Sequence, residues 1–124
     1  VTPVSRGGTG AATKALARVA LGGGAAALSD GATIATDCSA NDTFAVTLGG
    51  NRTLGNPTNV VADTWYTWVL KQDGTGSRTL ALDTNFVQAD GDSFAMKTAA
   101  NSTTMLTAYA ESTSRLLVRS AKYA

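Results

Sequence analysis

The chain has 124 residues and a net charge of +1, from ten basic and nine acidic side chains, with one cysteine and no histidine. Those numbers fit one domain with an appendage and leave no basic stripe for nucleic acid. They exclude an intrachain disulfide, zinc sites built on Cys and His, and any nucleophile activated by histidine.

The 44% hydrophobic content overstates the core: 22 residues are alanine and only 31 are Val, Ile, Leu, Met, Phe, Trp or Tyr. Burial stabilises by only about 25 cal/mol per Å², so alanine contributes little, and a chain this small already buries a modest fraction of its surface. A partner chain is expected to relieve the shortfall. Cys38 reads as a small buried hydrophobe, with a cross-link between copies as the sharper alternative.

In chain order, residues 1–30 read as an extended arm, a short helix and a glycine-rich connector, and residues 31–124 as a β head. "VTPVSRGG" has no periodicity. Thr9 can cap a helix from Ala11 to Leu21, in which Ala12, Leu16, Val19 and Ala20 line one side. Lys14 and Arg18 lie toward the end that the helix dipole favours for cations, and Gly22 is the stop. Such a helix is marginal alone and must pack on something. Its apolar run is broken by glycines and too short to span a bilayer. "RGGTG" lacks the spacing of a phosphate loop, because Lys14 is misplaced for it.

After "GGGAAALSDG" the pattern becomes short strands divided by turns. In "TFAVTL" Phe44, Val46 and Leu48 face one way, and "GGN" at 49–51 marks a turn. Pro57 stops the ladder after "RTL". "TWYTWVLKQ" at 64–72 is apolar on both faces, with Trp65 and Val69 on one and Tyr66, Trp68 and Leu70 on the other. It reads as a central strand covered on both sides, by a second sheet and by another chain or the helix.

"DGTG" at 73–76 reads as a hairpin turn leading into "SRTLAL". Phe86 is the expected anchor of "DTNFVQADGD", and "SFAMK", "TTMLTAYA" and "SRLLVRS" complete roughly eight strands. In the last, Leu116 and Val118 face inward and Arg115 and Arg119 outward. No repeat of fixed period is evident. The expected fold is all-β: an antiparallel β-sandwich or jelly-roll-like head with a short N-terminal α-helix.

Candidate chemistry is sparse. Asp83, Asp90 and Asp92 form a loose acidic group, but "DGD" is usually a turn and lacks the ligand pattern of a Ca²⁺ loop. Trp65, Tyr66 and Trp68 are compatible with a sugar-stacking platform, although aromatics on such a strand more often form core. No catalytic, cofactor-binding or metal site is expected.

Two stretches carry a resemblance. "PVSRGGTGAATKALARVALGGG" resembles a segment that recurs in tail fibre proteins of tailed bacteriophages, where a proline-led "RGGTGAT" precedes an alanine-rich helix and a leucine-glycine stop. "LGGNRTLGNPTNV" followed by "TWVLKQDGTGSRTLAL" is similar to the C-terminal β-domain of such fibres. The resemblance implies a virion protein made in the bacterial cytoplasm and assembled as a homotrimer with other tail proteins. It implies no nucleic-acid partner and no membrane insertion. Ala12, Leu16 and Val19 are then expected at the trimer interface. The distal module would attach to host surface polysaccharide or protein without enzymatic activity, through loops bearing Asn56, Asn59, Asn85, Asp90, Asp92 and Asn101. The alternative is a purely architectural collar, whisker or decoration protein that binds another virion protein.

Overall fold

The computed structural model describes residues 25–124. The expected helix, and with it Ala12, Leu16 and Val19, lies outside the described residues. Nine strands follow in chain order: β1 (Ala26–Ala27), β2 (Thr33–Ile34), β3 (Thr43–Leu48), β4 (Arg52–Leu54), β5 (Thr64–Gln72), β6 (Leu80–Leu82), β7 (Phe86–Gln88), β8 (Thr103–Ser112) and β9 (Arg115–Tyr123).

The expected all-β fold holds, and its two sheets enclose one core, but the pairing is not the antiparallel one expected. A six-stranded sheet runs β1-β3-β5-β8-β9-β7 and a three-stranded sheet runs β2-β4-β6. Strands β1, β3 and β5 are parallel neighbours, as are β2, β4 and β6. Only β5–β8 and β8–β9 are antiparallel, and β7 joins β9 in parallel. The first six strands thus alternate between the sheets, so the chain winds three turns of a coil with each turn stacked in register on the last. Phe44 sits opposite Trp68, and Ile34 opposite Leu54 opposite Leu82.

The coil changes the meaning of two turns. "DGTG" does not close a hairpin. It carries the chain from β5 in one sheet to β6 in the other, where β6 pairs with β4. Side chains shape this corner. Asp73 accepts hydrogen bonds from the amides of Thr75 and Gly76 and pairs with Arg78 at 2.9 Å. The Arg78 guanidinium, ahead of those amides, holds the Asp73 carboxyl down at about 2. Gly76 has φ +74°, and a Cβ there would come within 2.8 Å of Thr98 O and Ala100 N, so only glycine fits. "GGN" likewise turns from one sheet to the other, with Asp30 bridging Arg52 at 2.8 Å and the Gly49 amide at 3.0 Å.

"SFAMK" does not form a strand. Met96 is buried, but the Lys97 carbonyl serves Gln72 and Ser102 and its amide donates to Thr104 Oγ1, so its backbone pairs with side chains instead of a ladder.

Alternation decides what lies inside. Phe44, Val46 and Leu48 on β3, Tyr66, Trp68 and Leu70 on β5, Leu106, Ala108 and Ala110 on β8, and Leu116 and Val118 on β9 all point into one core. The short sheet contributes Ile34, Leu54 and Leu80. Phe86 is the expected anchor, its ring set edge-on to Trp68 with centroids 5.4 Å apart. Only two of the core residues are alanine, so the large apolar side chains are concentrated where they are needed.

Cys38 is 5% exposed, and burial, with the Asp37 carboxylate behind it, pushes its thiol up to about 11. A buried thiol that stays protonated at neutral pH is a poor nucleophile. A maleimide or iodoacetamide at pH 7.5 is expected to leave the native protein unlabelled over the time in which urea-unfolded protein labels fully. Prompt labelling of native protein would contradict this burial.

Candidate binding surface

The six-stranded sheet has two faces of different character. Its inner face is core. Its outer face carries four cross-strand rows, read from the pairing register. One is polar, with Thr43 opposite Thr67, Thr107 and Arg119. One is small and apolar: Ala45, Val69, Met105 and Ala121. Lys71, Thr103 and Tyr123 close one end of the sheet.

At the other end Trp65 on β5, Tyr109 on β8, Leu117 on β9 and Val87 on β7 stand side by side on four adjacent strands. Trp65 is 64% exposed, and its ring lies 5.2 Å from that of Tyr109, tilted by 54°. The four side chains line a groove of about 520 Å³ together with Gln88, Ala89 and Thr107, and Arg119 borders it.

Charges frame this band. The Tyr109 hydroxyl donates to Asp63 Oδ1 at 2.7 Å, and that bond, more than desolvation or the negative charge itself, raises the phenol's pKa above its ordinary value. Asp63 sits at φ +62° with its amide bound to Ala110 O, which fixes the carboxylate at the sheet end. Glu111 meets Arg115 at 3.5 Å, and Arg119 meets Asp92 at 3.7 Å.

The sequence reading placed Trp65 on the face opposite Tyr66 and Trp68 and expected it to be covered. Tyr66 and Trp68 are core, at 2% and 0% exposure. No described residue covers Trp65. Periodicity alone gave the face but not its lack of a cover. On the same outer face Tyr109 is half-buried and Tyr123 exposed.

The six loop residues expected to contact a receptor fall into separate clusters. Asn56 and Asn85 brace two loops against each other: Asn56 Oδ1 accepts from the Asn85 amide at 2.8 Å, and Asn56 Nδ2 donates to Thr84 Oγ1. Asn59, at φ +56°, donates to Asp37 Oδ1 and thereby lowers that carboxyl's pKa. Asp90 and Asp92 flank Gly91 in a turn closed by the Asp92 amide on Ala89 O, and Asp92 alone of the six reaches the groove, through Arg119. Asn101, at φ +60°, belongs to the corner built on Asp73, its amide donating to Asp73 O. Asn59, Asp90, Asp92 and Asn101 are exposed, whereas Asn56 and Asn85 are half-buried.

Among the described residues, no group of three or more Cys, Asp or Glu side chains is arranged to hold a metal ion. No described helix is long and apolar enough to cross a membrane. Residues 30–111 match the family described as "Putative phage tail fibre C-terminal domain". No curated protein and no solved structure matches the chain.

Proposed function

The chain belongs to the phage tail fibre C-terminal domain family, and from that premise we propose that it is the distal, host-contacting module of a tail fibre. Membership makes it a structural part of the virion tail, associated with other tail proteins. The finer reading is a non-enzymatic adhesin that works as a homotrimer. The family match across residues 30–111 carries the tail fibre role. The uncovered apolar row at Trp65 supports association, because large exposed apolar patches mark interaction sites.

Several carboxylates that could suggest acid–base chemistry already have structural work. Asp30 and Asp73 hold Arg52 and Arg78, Glu111 and Asp92 hold Arg115 and Arg119, and Asp37 accepts from Asn59 and the Ser39 amide. That supports a binding role over a hydrolytic one. Contacts to the host would then come from the exposed loops with Asn59, Asp90, Asp92 and Asn101, held in shape by Asn56 and Asn85. Individually weak polar contacts gain from three linked copies through effective concentration. Ala12, Leu16 and Val19 are the proposed contact residues between copies.

Fluorescently labelled full-length protein is expected to decorate intact cells of the strain on which the phage propagates. Asp90→Ala combined with Asp92→Ala, both exposed and neither at positive φ, should weaken that decoration several-fold without changing the fold. Protein that ignores cells but restores particles lacking it would overturn the adhesin reading in favour of a collar, whisker or decoration role. Release of reducing sugar from purified lipopolysaccharide would overturn the non-enzymatic part.

A further inference from the structure

We infer that residues 9–21 of one copy lie across the Trp65, Tyr109, Leu117 and Val87 row of the next copy, and that this contact closes the trimer. The inference rests on the homotrimer reading and names the surfaces that would build it.

Dimensions agree first. The row crosses four adjacent strands, which at ordinary strand spacing is about 14 Å. A helix over Ala11–Leu21, at 1.5 Å per residue, is about 16 Å long. The stripe expected there, Ala12, Leu16, Val19 and Ala20, is one helix face wide.

The point of entry agrees as well. Ala26 pairs with Phe44, which pairs with Trp68, all in parallel strands. The chain before Ala25 is therefore delivered at the Trp65 end of the sheet, on the edge strand two spacings away from β5 (about 10 Å). Gly22, Gly23 and Gly24 stand between that point and Leu21.

Charge agrees too. Residues 1–24 hold Arg6, Lys14 and Arg18 and no acid, whereas the described residues hold seven basic and nine acidic side chains. Asp63 and Glu111 lie at the row, and the arginines nearby, Arg115 and Arg119, are paired with Glu111 and Asp92. That leaves Asp63 as the carboxylate of the rim with no ion-pair partner among the described residues, and Lys14 and Arg18 are the cations of the docking segment that can meet it.

Threefold symmetry selects the neighbouring copy over the same chain. A ring of three is built from heterologous contacts, so each copy must offer two different, complementary surfaces. The stripe and the row are such a pair. A stripe folded onto its own sheet would consume both members of that pair.

The test uses the full chain. One version carries Leu16→Cys, another Leu117→Cys, with different affinity tags, and the two are co-expressed and treated with a short thiol cross-linker; the native Cys38 stays buried. The expected product is a covalent heterodimer carrying both tags. A second readout is acrylamide quenching of Trp65: Leu16→Glu should raise it several-fold in otherwise native protein. A trimer by sedimentation that gives no mixed-tag product overturns this inference alone. So does a doubly substituted chain that cross-links only within itself. A monomer by sedimentation overturns the homotrimer reading and this inference with it.

Discussion

Trp68→Ala is expected to destabilise the domain by about 3–5 kcal/mol, the range for removing a large aromatic from a packed core. Trp68 is fully buried at the point where most of the fold meets. Its ring stacks on Phe44 of β3 at 5.5 Å, tilts against Tyr66 at 6.4 Å and receives Phe86 of β7 edge-on at 5.4 Å. Its indole Nε1 donates to Thr36 Oγ1 at 3.0 Å, a bond between two buried groups that ties the sheet to the segment after β2. Alanine leaves a void bounded by three rings and strands the Thr36 hydroxyl. The loss should be read as a lower urea midpoint at fixed protein concentration, since association would otherwise move the midpoint too. Trp65→Ala removes a side chain that is 64% exposed and outside the core, so a loss there should act only through association and vary with protein concentration, whereas the Trp68→Ala loss should not. Equal, concentration-independent losses at the two positions would show that the assignment of faces is wrong.

Gln72→Leu is expected to cost about 3 kcal/mol, the desolvation penalty of backbone groups left without partners. Gln72 is 3% exposed at the end of β5. Its Nε2 donates to Arg78 O at 2.8 Å and Lys97 O at 2.9 Å, and its Oε1 accepts from the Arg78 amide at 3.0 Å. The side-chain amide therefore acts as a short piece of strand. It pairs with Arg78 where the chain leaves the sheet and reaches across to the 97–102 loop. Leucine matches its bulk but offers none of the three bonds, so the Arg78 amide and carbonyl lose their Gln72 partner and Lys97 O keeps only the longer bond from Ser102 Oγ at 3.3 Å. Hydrogen exchange at the Arg78 amide should accelerate in the variant more than at amides of β8. Unchanged protection at Arg78 would show that the corner is held by Asp73 alone.

Much of the face pattern was legible in the residues, because period-two alternation is local. The inward sets of β3, β5 and β9, and the anchoring role of Phe86, follow from spacing alone. Pairing was not legible, because it is decided between distant segments. "DGTG" has the composition of a hairpin turn, and nothing within those four residues reveals that β6 will pair with β4 instead of β5. The deciding features are Gln72, which satisfies Arg78 in place of a ladder, and β8, which returns from thirty residues later to occupy the flank of β5 that a hairpin partner would have taken. "SFAMK" failed as a strand for a related reason, since Gln72, Ser102 and Thr104 use its backbone.

The surface was legible in part. The side of the strand that carries Trp65 follows from alternation, but whether a side is covered depends on groups elsewhere. Loop exposure is the one feature the sequence shows for the asparagines. Asn56 and Asn85 turned out to bind each other, which no single-loop argument can foresee because they are 29 residues apart.

The winding of the first six strands has an evolutionary corollary. Each circuit pairs with the circuit below it, so a domain built this way can grow or shrink by whole circuits while keeping its cross-section. The β8–β9 ribbon is the stopper: by laying an antiparallel strand on β5, it ends the stack on that wall and fixes how tall the domain becomes.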